Sequence, residues 1–322
     1  MTVQTVRGPI AADELGPTLM HEHIFVLTTE IQQNYDTEFD PTVEVPRAAE
    51  RLEELHEKGI RTIVDLTVVG LGRDVELIRR VAERTRVNVV VATGLYTYAE
   101  LPHFFDHRGG PGTLLGGEEP MVEMFVKDLT EGIKGTGVRA GILKCATDEP
   151  GLTPGVERVL RACAQAHLQT GAPISTHTHA GTRRGLDQLR VFEEEGVDLR
   201  KVVIGHCGDT TDLGYLEELL SAGVTLGMDR FGLDILLPFE ERVRVVAELC
   251  ERGWSGQLVL SHDTSCHIDW MAPDTRRLLP RWNFTHISDE VLPALRDRGV
   301  TEDQIHQMLV DNPARILDVP AD

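Results

Sequence analysis

Six side chains in this sequence have the types and positions to gather cations at one place. Met20-His21-Glu22-His23 falls in a candidate strand. Residues two apart on a strand share a face, so His21 and His23 point inward together while Glu22 points away. Two imidazoles on one face can share a metal, or can be satisfied by hydrogen bonds in a core. Further donors recur at the ends of other candidate strands: His177 after Pro173-Ile174-Ser175-Thr176, His206 after Val202-Val203-Ile204-Gly205, and Asp263 after Ser261-His262. Imidazoles and a carboxylate converging at one mouth are best stabilised by a cation. Packing alone does not require a polar group at every one of those ends. His179 and His262 compete for the ligand role. His179 precedes Ala180-Gly181 and falls beyond its strand, and His262 alternates away from Asp263, so both read as supports of the ligands or as structural residues.

Lys144 ends the candidate strand Ala140-Gly141-Ile142-Leu143-Lys144, in a chain with only five lysines. A buried ammonium is costly, so its pKa should fall and expose a neutral amine. That amine could snorkel to the surface, form a Schiff base, or capture carbon dioxide as a carbamate. A carbamate has two oxygens spaced like those of a carboxylate and can bridge two metal ions. Beside the histidines, the bridging carbamate is the stronger reading. Two divalent cations set against a carbamate, Asp263 and a bridging hydroxide leave a small positive charge, which favours an anionic transition state.

These donors need elements that bring distant parts of the chain together. Candidate strands cover 18–25, 62–67, 87–92, 139–144, 172–178, 201–206, 224–229 and 257–263. Several are near-continuous apolar runs, as in parallel strands buried on both faces. Between them lie helical patterns. Ala48, Leu52 and Leu55 share a face before Gly59, and Val75, Ile78, Val81 and Ala82 repeat the spacing. Thr153-Pro154 reads as an N-cap with proline at N1, in a helix ending at Gly171. Pro238 opens another helix, and Thr301 with Gln304 signals a capping box over 301–310. Eight such alternations close most simply into a (β/α)8 TIM barrel, a single domain over 1–322 with a short N-terminal lead-in at 1–16. A doubly wound sheet is the runner-up, but the Gly-rich loop it would carry after strand one is absent. Long loops at 94–119 and 264–285 would lie over the C-terminal face, where barrel active sites sit.

The 322 residues are 41% hydrophobic and 26% charged, ordinary for a soluble globular chain. The net charge of −20 argues against binding nucleic acid or an anionic membrane. No apolar stretch reaches the length of a membrane span. The N-terminus has no basic segment followed by an apolar run, so no secretory signal is expected. Five scattered cysteines without a CxxC pair suggest a reducing compartment, here the cytoplasm.

The combined pattern resembles the amidohydrolase superfamily, and within it the phosphotriesterase family and its phosphotriesterase-like lactonase branch. The resemblance runs from TVRG near the N-terminus to the closing NPARIL. It is carried by MHEH (20–23), TVVGLGRD (67–74), ATGLYTY (92–98), GILKCATDEPG (141–151), PISTHTHAGTRRGLDQ (173–188), VVIGHCGDT (202–210), GMDRFGLDILLP (227–238) and SHDTSCHIDW (261–270). It implies that His21, His23 and Asp263 hold a buried metal, that His177 and His206 hold a more exposed one, and that carbamylated Lys144 bridges them. It places Tyr96 near the substrate carbonyl, with Arg230 and Trp270 lining the pocket. The insertion RGGPGTLLGG at 108–117 departs from the pattern and bears on the shape of that side of the pocket.

The function so implied is a binuclear metal-dependent lactonase. A metal-bridging hydroxide attacks the lactone, Asp263 carries the proton, and Leu233, Ile235, Leu236, Trp270 and Met271 hold an acyl chain. Zinc is expected first, with cobalt, manganese or iron also suited. N-acyl-homoserine lactones fit such a pocket, with weak phosphotriesterase activity alongside. Phosphotriester hydrolysis as the main activity, and a catalytically silent metal-binding scaffold, are the competing readings. The family resemblance also implies a homodimer.

Overall fold

In a computed structural model of the chain, the structure describes residues 2–319. Its strands are β1 (Thr2–Thr5), β2 (Gly8–Ala11), β3 (Thr18–Val26), β4 (Thr62–Asp65), β5 (Asn88–Gly94), β6 (Ile142–Thr147), β7 (Ile174–Thr178), β8 (Val202–Ile204), β9 (Thr225–Met228), β10 (Leu258–Leu260) and β11 (Ser265–Ile268). β3 to β10 pair in chain order, all parallel, and β11 pairs with β3 on its other side. β10 and β11 are two halves of the eighth barrel position, and the residues joining them close the ring. His21 N donates to Ser261 Oγ at 2.8 Å, and Asp263 N donates to His21 O at 3.0 Å. The fold is the expected TIM barrel, with helices outside the curled sheet.

Apolar side chains divide between two faces of the same strands. Met20, Val64, Val90, Ile142, Val203 and Val259 pack together inside the barrel, beneath the donor residues. Leu19, Ile63, Val89, Leu143, Ile174, Ile204 and Leu258 pack outward against the helices. β3 needs an irregularity to serve both purposes. Leu19 pairs with Ile63 but Glu22 pairs with Asp65, so β3 holds one extra residue there. This bulge lets Met20 fill the interior while His21 and His23 still face it, the usual way a bulge re-aims side chains.

Several sequence-based boundaries change. β6 runs on to Thr147, so Lys144 sits within the strand rather than at its end. β8 stops at Ile204, and His206 lies beyond it with φ 60°. The eighth strand breaks before Asp263, which has φ 54°, and the expected loop at 264–285 begins with β11. Both donors leave the regular strand because a left-handed residue turns their side chains toward the mouth. Within the expected lead-in at 1–16, residues 2–11 form the β1–β2 hairpin. Val6 N donates to Val89 O, and the Arg7 guanidinium donates to the carbonyls of Ala82, Thr85 and Val87.

The helix signals hold in most cases. The Thr153 side chain accepts from Val156 N and opens Pro154–Thr170, which ends at left-handed Gly171. Pro238 precedes Phe239–Glu251. The Thr301–Gln304 capping box opens Glu302–His306, but helical structure continues past 310 to Leu317. No helix among the described residues is long and apolar enough to cross a membrane. All five cysteines are buried and unpaired.

The insertion at 108–117 does not shape the donor cavity. Its Pro111, Gly112 and Thr113 line a separate groove of about 940 Å³ against the helix Pro154–Thr170. Arg158 draws it there, pairing with Glu119 at 2.7 Å and donating to Gly109 O at 3.2 Å.

Candidate metal centre

The barrel brings the six expected donors to one cavity. His21, His23, Lys144, His177, His206 and Asp263 all line it, with Tyr96, Arg230 and Trp270 above them. Asp229 at the end of β9 sets two of the rings. Its Oδ2 lies 2.7 Å from His21 Nδ1, and its Oδ1 lies 2.9 Å from His206 Nδ1. Each ring donates Nδ1–H to that carboxylate and turns a bare Nε2 into the cavity, the usual support for a metal-ligating histidine. Asp148 does the same for His177 from the other side, accepting its Nε2–H. His177 Nδ1 therefore faces His206 Nε2, 2.9 Å away, with both protons committed elsewhere. Two lone pairs at that separation call for a cation between or beside them. His23 Nδ1 meets Thr67 Oγ1 at 2.8 Å, and its Nε2 lies 3.1 Å from Asp263 Oδ1. Ligand atoms of His21, His206 and Asp263 all lie within 4.8 Å of one another. Nitrogen and oxygen donors of this kind fit divalent cations such as zinc.

Protonation states favour the same use. Burial lowers the pKa of His21, takes His206 well below the usual imidazole range, and brings His177 to about 4. All three rings are neutral at neutral pH, as metal ligation requires. Burial brings Lys144 down to about 8, although Asp263 and Asp229 pull the other way. Its Nζ lies 3.2 Å from His21 Nε2. Gly94 permits β5 and β6 to meet here. With φ 145°, a Cβ at that position would sit 1.9 Å from Lys144 O. Burial opposes ionisation of Asp263, but the polar groups around it, among them the His23 hydrogen bond and the Arg230 guanidinium, hold its carboxyl well below the ordinary range. The hydrogen bond from His177 brings Asp148 to about 2.

The upper wall is aromatic and apolar. The Tyr96 hydroxyl contacts the Tyr98 hydroxyl and lies 3.3 Å from His177 Nδ1. Burial, then Tyr98, raises Tyr96 well above the usual phenol range, so it remains a donor. Arg230 Nε donates to Asp263 Oδ2 at 3.0 Å, and its Nη1 donates to Asp209 Oδ2 at 2.9 Å. Asp209 also pairs with Arg242, a buried guanidinium that donates to the carbonyls of Gly208, Leu233 and Leu237. Leu233, Ile235, Leu236, Met271 and half-exposed Trp270 complete a cavity of about 360 Å³.

His179 and His262 lie outside the donor set, as expected. His179 Nδ1 bonds Thr182 Oγ1, and His262 turns away to Glu22. Asp229, Asp148, Thr67, Tyr98 and Asp209 are the functional neighbours that sequence reasoning missed. Asp229 carried a usable signal, because it is an acidic residue at a strand end like Asp263. Asp148 and Thr67 carried none, since their partners come from other strands.

Known proteins are similar to this chain over nearly its full length. The phosphotriesterase family profile matches residues 1–317. A Mycobacterium tuberculosis protein named phosphotriesterase homology protein is 60% identical over 318 residues, covering 98% of this chain and 97% of its own. An aryldialkylphosphatase of Saccharolobus solfataricus is 38% identical over 314 residues, covering 97% and 98%. The solved structure of the phosphotriesterase from Mycobacterium tuberculosis superposes with a TM-score of 0.97 at 59% identity, covering 99% of this chain and 98% of that one. With the match running through every barrel strand, this chain belongs to the phosphotriesterase family of hydrolases.

Proposed function

We propose that the protein is a binuclear metal-dependent lactonase acting on N-acyl-homoserine lactones, a quorum-quenching activity, with weak phosphotriester hydrolysis alongside. One observation carries the reading: the cavity gathers the six candidate metal donors and a set of apolar side chains in one lining. That combination suits a polar lactone head with an acyl tail. His21, His23 and Asp263 would hold the deeper cation and His177 and His206 the outer one. Lys144, as a carbamate, would bridge them. The lowered pKa of Lys144 supports this, because the neutral amine is the form that adds to carbon dioxide. When bound, two divalent cations (zinc first, then cobalt, manganese or iron) supply Lewis acidity for activating water and polarising the carbonyl.

The chain supplies position and proton transfer. The Tyr96 hydroxyl donates to the carbonyl oxygen as negative charge develops on it. Water oxygen bonds to the carbonyl carbon and the ring C–O bond breaks. Asp263 takes the proton of the attacking water and returns it to the leaving alkoxide. Arg230 holds Asp263 Oδ2, which leaves Oδ1 directed at His21 and His23. Leu233, Ile235, Leu236, Trp270 and Met271 line the path of the acyl chain and exclude water from it. The family resemblance supports a homodimer, and the five unpaired cysteines support a cytoplasmic setting.

The test compares kcat/KM for a long-chain acyl-homoserine lactone with that for an aryl dialkyl phosphate. The expected result favours the lactone. A hundredfold preference for the phosphotriester would instead make organophosphate hydrolysis the main activity, a reading favoured by the name of the Saccharolobus relative. Metal-replete protein inert toward lactones, esters and phosphotriesters would point to a silent scaffold.

A further inference from the structure

Glu22 is fully buried and faces away from the donor cavity, between the two histidines of β3. Its carboxylate brackets Asp263. Oε1 accepts from His262 N at 2.9 Å and from His262 Nδ1 at 2.7 Å, and Oε2 accepts from Thr264 N at 3.0 Å. The residue between those two amides is Asp263, with φ 54°. A non-glycine residue in the left-handed region persists only where its surroundings over-determine it. His262 extends the clamp: its Nε2 accepts from Ile287 N at 3.0 Å, and its carbonyl accepts from Trp282 Nε1 at 3.0 Å.

We propose that Glu22 is the positioning residue for Asp263. By holding the amides on either side, it fixes the left-handed turn that breaks the eighth strand and swings the Asp263 carboxylate onto His21 and His23. The middle residue of the His21-Glu22-His23 motif thus aims the ligand that completes the site across the barrel seam. The inference rests on Asp263 serving as a ligand in the proposed centre.

Glu22→Gln keeps the shape but sets an NH2 group against one of the two amides. Glu22→Asp keeps the charge but shortens the reach. The test titrates Zn²⁺ into metal-free wild type, both variants, Asp263→Asn, and the Glu22→Gln/Asp263→Asn double variant, against a chromogenic chelator. Far-UV circular dichroism checks folding. The expected result is folded Glu22 variants with zinc affinity about 10-fold or more below wild type, and a double variant no weaker than Asp263→Asn alone. A crystal structure of Glu22→Gln should show residue 263 out of its left-handed conformation. Wild-type affinity in Glu22→Gln, additive losses in the double variant, or failure of both Glu22 variants to fold would each overturn the proposal. Wild-type affinity in Asp263→Asn would instead remove Asp263 from the ligand set, a failure of the functional reading rather than of the clamp.

Discussion

Asp229 Oδ2 stands 2.7 Å behind His21 Nδ1, and that contact decides which nitrogen of His21 faces the cavity. The other oxygen of the same carboxylate makes the same choice for His206. One buried acid therefore sets a ligand for each of the two proposed cations. Asp229→Asn can accept from one ring only and presents an NH2 group to the other. We expect zinc affinity to fall about 10- to 100-fold with the fold intact, measured by chelator competition. Unchanged affinity would mean that the rings are oriented by packing instead.

Lys144 offers a sharper test of the bridge. Lys144→Ala should lose bound metal and turnover together. A short carboxylic acid added to the variant should restore part of both by taking the place of the carbamate. In the wild type, a Lys144 pKa of about 8 means that the neutral amine grows with pH across that value. At a fixed concentration of dissolved carbon dioxide, with bicarbonate raised as the pH is raised, reconstitution of metal-free protein with zinc should accelerate between pH 7 and pH 9. A rate indifferent to both bicarbonate and pH, or a Lys144→Ala enzyme with two metals and normal turnover, would remove the bridge.

Much of this centre was legible in the sequence because strand periodicity and barrel topology act on short, local patterns. His21 and His23 share a face by alternation, and His177, His206 and Asp263 come together once eight parallel strands close. The supports were not legible for the opposite reason. Asp148 reaches His177 across a strand boundary, and Glu22 reaches residue 264 across 242 positions. The bulge in β3 was equally hidden, since one extra residue leaves the hydrophobic pattern almost unchanged. The effect of the insertion at 108–117 was not legible either, because nothing local reveals that Arg158 and Glu119 hold it against a helix.

Acid should destabilise the metal-free protein in two stages. His21, His177 and His206 have folded pKa values lowered by burial, His177 to about 4. The unfolded chain then binds more protons than the folded one as pH falls below about 6.5, so stability drops down to about pH 4. Asp148, depressed to about 2, contributes stability above about pH 3.8 that is lost as pH falls through 2. Melting temperature against pH for chelated protein should therefore decline from pH 6.5 downward. A flat profile between 6.5 and 4 would show that the imidazoles are not buried in neutral form.

Arg230 connects Asp263 to Asp209, and its charge is one reason that Asp263 stays ionised. Replacing it with methionine keeps much of the volume and removes the charge. The proton affinity of Asp263 should rise, since an adjacent guanidinium lowers a carboxyl pKa by about 1–3 units. The acid limb of the kcat/KM profile should move to higher pH by about one unit in Arg230→Met. An unmoved limb would separate Arg230 from the proton-carrying group.

Trp270 gives the clearest view of the acyl path. Its side chain is 50% exposed at the rim, with its ring centroid 6.4 Å from that of Tyr96. A half-exposed aromatic residue has little to do for the folded state, and a bound acyl chain would cover the face now open to water. Each methylene buried against it contributes up to about 0.8 kcal/mol. Trp270→Ala should therefore leave the melting temperature nearly unchanged and spare a four-carbon acyl-homoserine lactone, while lowering kcat/KM for a twelve-carbon one about fivefold or more. Because the donors at the floor are untouched, the loss should appear mainly in KM. Equal losses for short and long chains would mean that the tail leaves the cavity by another route, and that the rim indole acts on the lactone head through Tyr96.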